Sequence, residues 1–307
     1  MSVCPFFGRC GGCRFDFESS DYRAKKLEQL SDLPITDAPI WIKSGLRRRA
    51  DFCFAGGQFG FFEANSKNII PVSYCPNLLP QINAVLPDLA ALPWFGTGGC
   101  LVTYCDNGID VNITCSVPYV PSDFRKAIAK LPIIRATWND VNIMQVAEPV
   151  ISFADKVVKY PSNAFLQPTI DGADVLRKLV VQHVHSAKRV ADLFCGLGNF
   201  TFVLNAVGFD VVGTGMKRDL FKKPLTVSML NQYDCVVMDP PRAGALAQCK
   251  ELVQSNVSKV VYISCNPKTF KRDMDVLISG GYNLLKLIPV DQFCGSNHWE
   301  IFSVFSR

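Results

Sequence analysis

The sequence predicts an α/β protein in which a mixed α+β segment precedes a mainly parallel, doubly wound sheet. Three observations carry this reading. From Asp174 onward short apolar runs alternate with helix-length segments, the first 165 residues are instead rich in Pro, Gly and β-formers, and three unusual turns fall where apolar runs end. Strand alternating with helix is the pattern of a parallel sheet covered on both faces. At 307 residues the chain is too long for one ordinary core. Two domains are therefore expected, 1–165 and 166–307.

In the first unit, apolar residues at helical spacing predict a helix from Asp21 to Leu30. Alternating stretches at Leu101–Tyr104 and Ile109–Thr114 predict strands. In the second unit Val175, Leu176, Leu179, Val180 and Val184 form an amphipathic helical stripe, and the run from Arg189 to Phe194 reads as a buried strand. A glycine-containing turn and a helix to about Asn205 lead to a short strand over 210–213. Apolar strands at Cys235–Asp239 and Lys259–Ser264 follow, with a helix-length segment between them.

Hydrophobic residues make up 49% of the chain and charged residues 19%, which fits a folded protein rather than a disordered one. No apolar run is long enough for a membrane helix, and the N-terminus lacks a basic segment leading into an apolar one. A cytoplasmic monomer without a membrane partner is expected. The net charge of +5 separates few classes. Locally, Lys43, Arg47, Arg48 and Arg49 crowd one segment and Lys217, Arg218, Lys222 and Lys223 another. Each cluster fits either a solvated face or a phosphate-contacting patch. The thirteen cysteines sit in a chain neither small nor evidently secreted, so most are thiols. Cys53, Cys100, Cys105, Cys115, Cys235 and Cys249 lie in apolar surroundings and read as small buried hydrophobes.

Chemistry concentrates in the three turns. The first, 192–200, has two glycines that let backbone amides approach a polar ligand, yet it lacks the full dinucleotide pattern. The second sets Asp239 before Pro240, Pro241 and Arg242, a stiff polar corner against which a ring can lie. In the third, Ser264 and Cys265 precede Asn266 and Pro267. A cysteine at the open edge of a parallel sheet, in a turn fixed by Pro, is placed to act as a nucleophile; the bland alternative is a buried structural thiol.

In this order the segments DLFCGLGNFT (192–201), DPPRAGA (239–245), YISCNPKTFKRD (262–273) and HWEIFSVFSR (298–307) resemble the motifs of the RNA 5-methyluridine methyltransferase family. The likeness covers the C-terminal half and extends upstream through Asn163–Pro168. It implies a Rossmann-like class I methyltransferase domain preceded by an RNA-binding domain, with S-adenosyl-L-methionine as cofactor and RNA as partner. Gln167, Phe194, Asn199 and Asp239 match the family's cofactor contacts. Cys265 matches the nucleophile that adds to carbon 6 of uracil, and Glu300 the base that then removes the carbon 5 proton. A free thiol is only slightly ionised at neutral pH, so local activation of Cys265 is expected. His298 is expected to be structural, and Arg242 to order its turn or meet RNA.

Cys4, Cys10 and Cys13, with the distant Cys75, give a spacing that coordination chemistry alone allows for zinc or for iron and sulfur. It is similar to that of the branch of the family acting on 23S ribosomal RNA, where such cysteines hold a 4Fe–4S cluster. The transfer RNA branch typically lacks this set, so ribosomal RNA is favoured. The sequence also departs from the family. The acidic residue that closes the second strand, and holds the cofactor ribose, aligns with Gly215. The stretch 215–233 is short by about a helix and a strand, and Asp219 is the candidate replacement. The chain begins almost at the cysteine motif, without the small β-barrel RNA-binding domain of many relatives. A non-catalytic RNA-binding protein with weak cofactor binding is the competing reading.

Overall fold

The computed structural model describes residues 4–184, 187–210 and 215–307. Its N-terminal segment forms helix α1 (Tyr22–Leu27) and a two-residue strand, β1 (Ile40–Trp41). A seven-stranded sheet follows, built from β2 (Arg49–Ala55), β3 (Gln58–Phe62), β4 (Ile69–Pro71), β5 (Thr97–Cys105), β6 (Gly108–Cys115), β7 (Arg135–Trp138) and β8 (Val141–Gln145) in the order β4-β3-β2-β5-β6-β7-β8. Period-two alternation puts Phe52, Phe54, Cys100, Val102, Val111 and Ile113 on one face. Helices α2 (Pro80–Ala90) and α3 (Ser122–Ile128) bury their apolar stripes against that face. The other face is polar, and the hairpin β9 (Val150–Phe153) and β10 (Lys156–Lys159) leads away from it into the second unit.

Helix α4 (Ile170–Val184) opens the larger sheet. Its strands are β11 (Val190–Leu193), β12 (Val207–Asp210), β13 (Met216–Lys217), β14 (Cys235–Met238), β15 (Lys259–Ser264), β16 (Asn283–Asp291) and β17 (Glu300–Ser306). The order is β1-β16-β17-β15-β14-β11-β12-β13. Pairs among β11 to β15 are parallel, whereas β17 runs antiparallel to both β15 and β16. Every residue of β11 and β14 is buried, as strands covered on both faces require. Short helices α5 (Thr201–Leu204) and α6 (Val227–Leu230) lie between these strands, followed by α7 (Leu246–Gln254) and α8 (Pro267–Ser279). Helices α7 and α8 pack on one face and α4 on the other.

The doubly wound sheet is present as expected, and so are the strands expected at Leu101–Tyr104 and Ile109–Thr114 and the early helix. The six cysteines read as apolar fillers are all buried. Two features differ from the sequence reading. The second parallel strand begins at Val207, ahead of the expected 210–213, and includes Asp210, whereas residues 211–213 of the expected strand lie outside the described residues. In addition, β1 and α1 join the larger sheet although they precede the smaller one. Strand β1 pairs with β16, and the fully buried Lys26 of α1 places its Nζ 2.5 Å from Asp291 Oδ1 at the end of β16. Tyr22 donates its hydroxyl to the other oxygen of Asp291 at 2.5 Å.

Candidate active site at the carboxyl edge of the parallel sheet

The register of β11 with β14, and of β14 with β15, brings the three unusual turns side by side at one sheet edge. Each turn is fixed locally. Phe194 adopts φ +60°, a region that a bulky side chain rarely visits, and its N–H donates to Phe209 O at 2.8 Å. The Arg242 carbonyl accepts from Asn266 Nδ2 at 2.9 Å and from Thr269 Oγ1 at 3.0 Å, which ties the Asp239 turn to the Cys265 turn. Asn266 also caps α8, and Pro267 occupies its first turn, so Cys265 sits between a buried strand and a capped helix. Behind them the buried Asp273 accepts from Ala245 N and Tyr262 Oη.

Two adjoining cavities open at this edge, sharing Phe165, Phe194, Gly196 and Asp239. All four residues matched to cofactor contacts, Gln167, Phe194, Asn199 and Asp239, line the first. Cys265 and Glu300 line the second, a cleft of about 500 Å³, together with Asp210, Arg242, Phe293 and His298. Gln167 Nε2 donates to Asp239 Oδ2 at 2.8 Å. Gln292, for which the sequence offered no signal, donates from Nε2 to both Gln167 Oε1 and Glu300 Oε2 at 2.7 Å. Asn199 Oδ1 accepts from Arg177 Nη1 at 2.6 Å, while its buried Nδ2 has no partner among the described residues. An orphaned buried donor in a cavity is a position for a ligand acceptor. His298 Nε2 stands 3.1 Å from Arg242 Nη2, so both side chains face the cleft.

Burial pushes Glu300 up to about 7, with Gln292 opposing the rise. Asp239 is raised well above the usual carboxylate range by burial, then by Glu300 and Asp192. Cys265 is raised to about 11 by burial and by the charges of Glu300 and Asp239, against Arg242. At neutral pH this favours the thiol over the thiolate at Cys265. Its alkylation by iodoacetamide should be slow at pH 7 and rise about tenfold per pH unit as the thiolate fraction grows. Peptide mass spectrometry of the Cys265 peptide over pH 7–10 measures this. A rate already at its plateau at pH 7 would contradict it.

The second strand does carry a carboxylate: Asp210 of β12 accepts from Gly196 N through Oδ2 at 2.8 Å and lines the cleft. Gly215 packs against that strand instead; a Cβ there would stand 2.6 Å from the Gly208 carbonyl and 2.7 Å from Cys195 Sγ, so a glutamate could not be seated without moving backbone. Asp219 caps its own turn through Phe221 N and Lys222 N, while Phe221 packs on Phe194.

The basic clusters divide. Arg48 is buried and donates to Tyr104 O, a structural role, whereas Arg47 and Arg49 line a groove on the polar face of the smaller sheet. Asn112, Thr114, Asn163 and Phe165 line the same groove, which shares Phe165 and Phe293 with the cleft. Lys217, Lys222 and Lys223 are exposed, and Arg218 donates to Lys223 O and Pro224 O.

Cys4, Cys10, Cys13 and Cys75 line one further cavity of about 340 Å³. Gly12 N donates to Cys10 Sγ at 3.4 Å and Asn77 Nδ2 to Cys13 Sγ at 3.3 Å. Cys13 is pushed up to about 12 and Cys75 to about 11, by burial first and then by the other thiols. Among the described residues no three His, Cys, Asp or Glu side chains stand close enough to share one ion. The four thiols nevertheless share the lining of one cavity. Arg242, Phe293 and His298 also line it, so it abuts the cleft although its cysteines are far from Cys265 in sequence.

Among solved structures, the Pyrococcus abyssi tRNA (uracil-54, C5)-methyltransferase in complex with S-adenosyl-L-homocysteine superposes with a TM-score of 0.73 at 20% identity, covering 93% of this chain and 82% of its own. The fold is thus that of a mixed α/β methyltransferase. Residues 217–307 match the tRNA (Uracil-5-)-methyltransferase family. An RNA methyltransferase of Agrobacterium fabrum is 33% identical over 356 aligned positions, covering 99% of this chain and 85% of its own. One of Caulobacter vibrioides is 32% identical, with 99% and 86% covered. The chain belongs to this RNA methyltransferase family. The alignments are longer than the 307 residues available, so these relatives carry residues that this chain lacks.

Proposed function

We propose that the protein methylates carbon 5 of a uridine in RNA, with S-adenosyl-L-methionine as donor and Cys265 as covalent catalyst. The observation that carries this reading is the meeting of two cavities at Asp239: Gln167, Phe194 and Asn199 on one side, Cys265 and Glu300 on the other. S-adenosyl-L-methionine would supply an electrophilic methyl group where the two cavities meet. The Asn199 Nδ2 donor and the Asp210 carboxylate are groups that fit its polar atoms.

The chain's own residues account for the rest. Cys265, as thiolate, forms an Sγ–carbon 6 bond, and the ring's double-bond electrons move toward the carbon 4 oxygen. Carbon 5 then becomes nucleophilic and takes the methyl group. Glu300, ionised in part near neutrality, accepts the carbon 5 proton. The double bond re-forms as the Sγ–carbon 6 bond breaks and the electron pair returns to sulfur. Asp239 and the two prolines wall the ring's place, and Arg242 offsets the carboxylates.

The groove bearing Arg47, Arg49 and the exposed Phe165 joins the cleft directly and is suited to splayed nucleotides, through phosphate contact and stacking. The smaller sheet, in residues 49–165, thus serves as the RNA-binding unit, and residues 166–307 together with α1 and β1 as the methyltransferase unit. The four-cysteine cavity favours 23S ribosomal RNA. Transfer RNA is the second reading, because the matched family and the Pyrococcus abyssi neighbour both carry that substrate in their names. Methylation of each RNA by the purified protein, with the product mapped as 5-methyluridine, tests both; no product with either RNA and no cofactor binding would leave the non-catalytic reading.

Cys4, Cys10, Cys13 and Cys75 would hold a 4Fe–4S cluster that orders the segment around them rather than transferring electrons. Anaerobically purified protein should be brown and contain about four iron atoms per chain by metal analysis. Stoichiometric zinc in colourless protein would remove the cluster. For the cofactor, Asp210→Ala should weaken S-adenosyl-L-methionine binding about ten- to a hundredfold, the worth of about 1.5–3 kcal/mol for a hydrogen bond to a charged group. Calorimetric titration reads this directly, and unchanged affinity would move the ribose contact elsewhere.

A further inference from the structure

We propose that Gln292 is a positioning residue that couples Glu300 to the cofactor contacts Gln167 and Asp239, so that one buried amide sets both ends of the site. The inference rests on the methyltransferase reading above and deepens it. Gln292 lies just past β16 and is 2% exposed. Both hydrogens of its Nε2 are committed, one to Glu300 Oε2 and one to Gln167 Oε1, each at 2.7 Å. Gln167 passes the order on, since its Oε1 accepts from Gln292 and its Nε2 must then face Asp239 Oδ2, at 2.8 Å. With Glu300 and Asp239 ionised, this order alone gives each of these hydrogen bonds a donor and an acceptor, although it leaves Gln292 Oε1 buried without a partner among the described residues.

The arrangement divides the labour within Glu300. Its Oε2 is occupied by Gln292, while its Oε1 is buried without a partner among the described residues. Oε1 is thus the oxygen left to receive a proton. The groups facing this carboxyl are Asp239 at the end of β14, with Asp192 of β11 behind it, Cys265 at the end of β15, and Arg242 and His298 across the cleft. Against the carboxylates, Gln292 supplies a donor that favours the ionised form of Glu300.

A second observation shows that the fold makes room for the amide. Gly172, in the first turn of α4, faces Gln292, and a Cβ there would stand 2.4 Å from Oε1 and 2.8 Å from Cβ of Gln292. Helix α4 can approach the site this closely only with glycine at that point. Gly172→Ala would therefore push the amide from the opposite side without altering any group placed in contact with cofactor or RNA.

The test uses the full-length protein and two variants, Gln292→Met, which keeps length without donors, and Gly172→Ala. For each, RNA methylation is measured from pH 6 to 9 and S-adenosyl-L-methionine binding by titration. Gln292→Met should move the ascending limb of the rate profile upward by about one pH unit, lower the rate at pH 7 about tenfold, and weaken cofactor binding several-fold. Gly172→Ala should move both readouts in the same directions. A folded Gln292→Met protein with the original pH profile and cofactor affinity would overturn the proposal. If Gln292→Met does not fold, an unmoved Gly172→Ala protein would overturn it equally. If the unmodified protein makes no 5-methyluridine, the methyltransferase reading fails separately, and the cofactor titration still decides whether Gln292 orders Gln167 and Asp239.

Discussion

Cys265→Ala should abolish 5-methyluridine formation, lowering turnover by on the order of a thousandfold or more, while RNA and cofactor affinity stay close to their original values. Carbon 5 of uracil does not attack a methyl group unless carbon 6 is first bonded to a nucleophile. In the cleft the cysteine is Cys265, held by β15 on one side and capped α8 on the other. Alanine removes Sγ and leaves both elements intact, so the loss should appear in the chemical step alone. Gel-shift binding to the RNA together with single-turnover methylation makes the separation. Turnover by the alanine variant at a tenth of the original rate would exclude the covalent route.

Glu300→Gln should have an equally large effect on product release and a small one on methyl transfer. The glutamine keeps the length of the side chain and cannot take the carbon 5 proton. Addition and methylation would then proceed, and the methylated RNA would remain bonded to Cys265. The expected result is a protein–RNA species that survives denaturant, carries label from the methyl donor and disappears when Cys265 is also replaced. Normal turnover without such a species would assign the proton to another group, and the raised Asp239 would be the next candidate. A covalent species lacking the methyl group would place Glu300 before methyl transfer rather than after it.

Much of this architecture was legible in the sequence because the central strands obey simple rules. Residues 235–238 and 260–263 are continuous apolar runs, and only a strand covered on both faces tolerates them. Their carboxyl ends then had to share an edge, which gathered Asp239 and Cys265. Other features left no such trace. Strand β1 is two residues long and has no periodicity to detect. The start of the second strand was placed too late because Val207–Asp210 holds a glycine and the more apolar residues follow it. Gln292 is a lone amide between a strand and a loop, and only its partners reveal it. The upward shift of Cys265 comes from burial and from two carboxylates of distant segments, which its own turn does not reveal.

The position of β1 also fixes an order of events as the chain is made. Ile40 and Trp41 leave the ribosome long before their partners Val290 and Asp291. The Lys26 ammonium likewise waits for a carboxylate 265 residues further on. Until then an amino-terminal arm must stay tethered to the finished smaller sheet with its apolar residues uncovered. Once β16 arrives, the arm closes the open side of the larger sheet and hides an edge that would otherwise invite other chains to pair. Excising residues 166–307 as a minimal catalytic fragment would remove that cover, bare the backbone of β16 and leave Asp291 buried without its cation. The catalytic unit is therefore completed by residues 22–41, which must wait for β16 before either can settle.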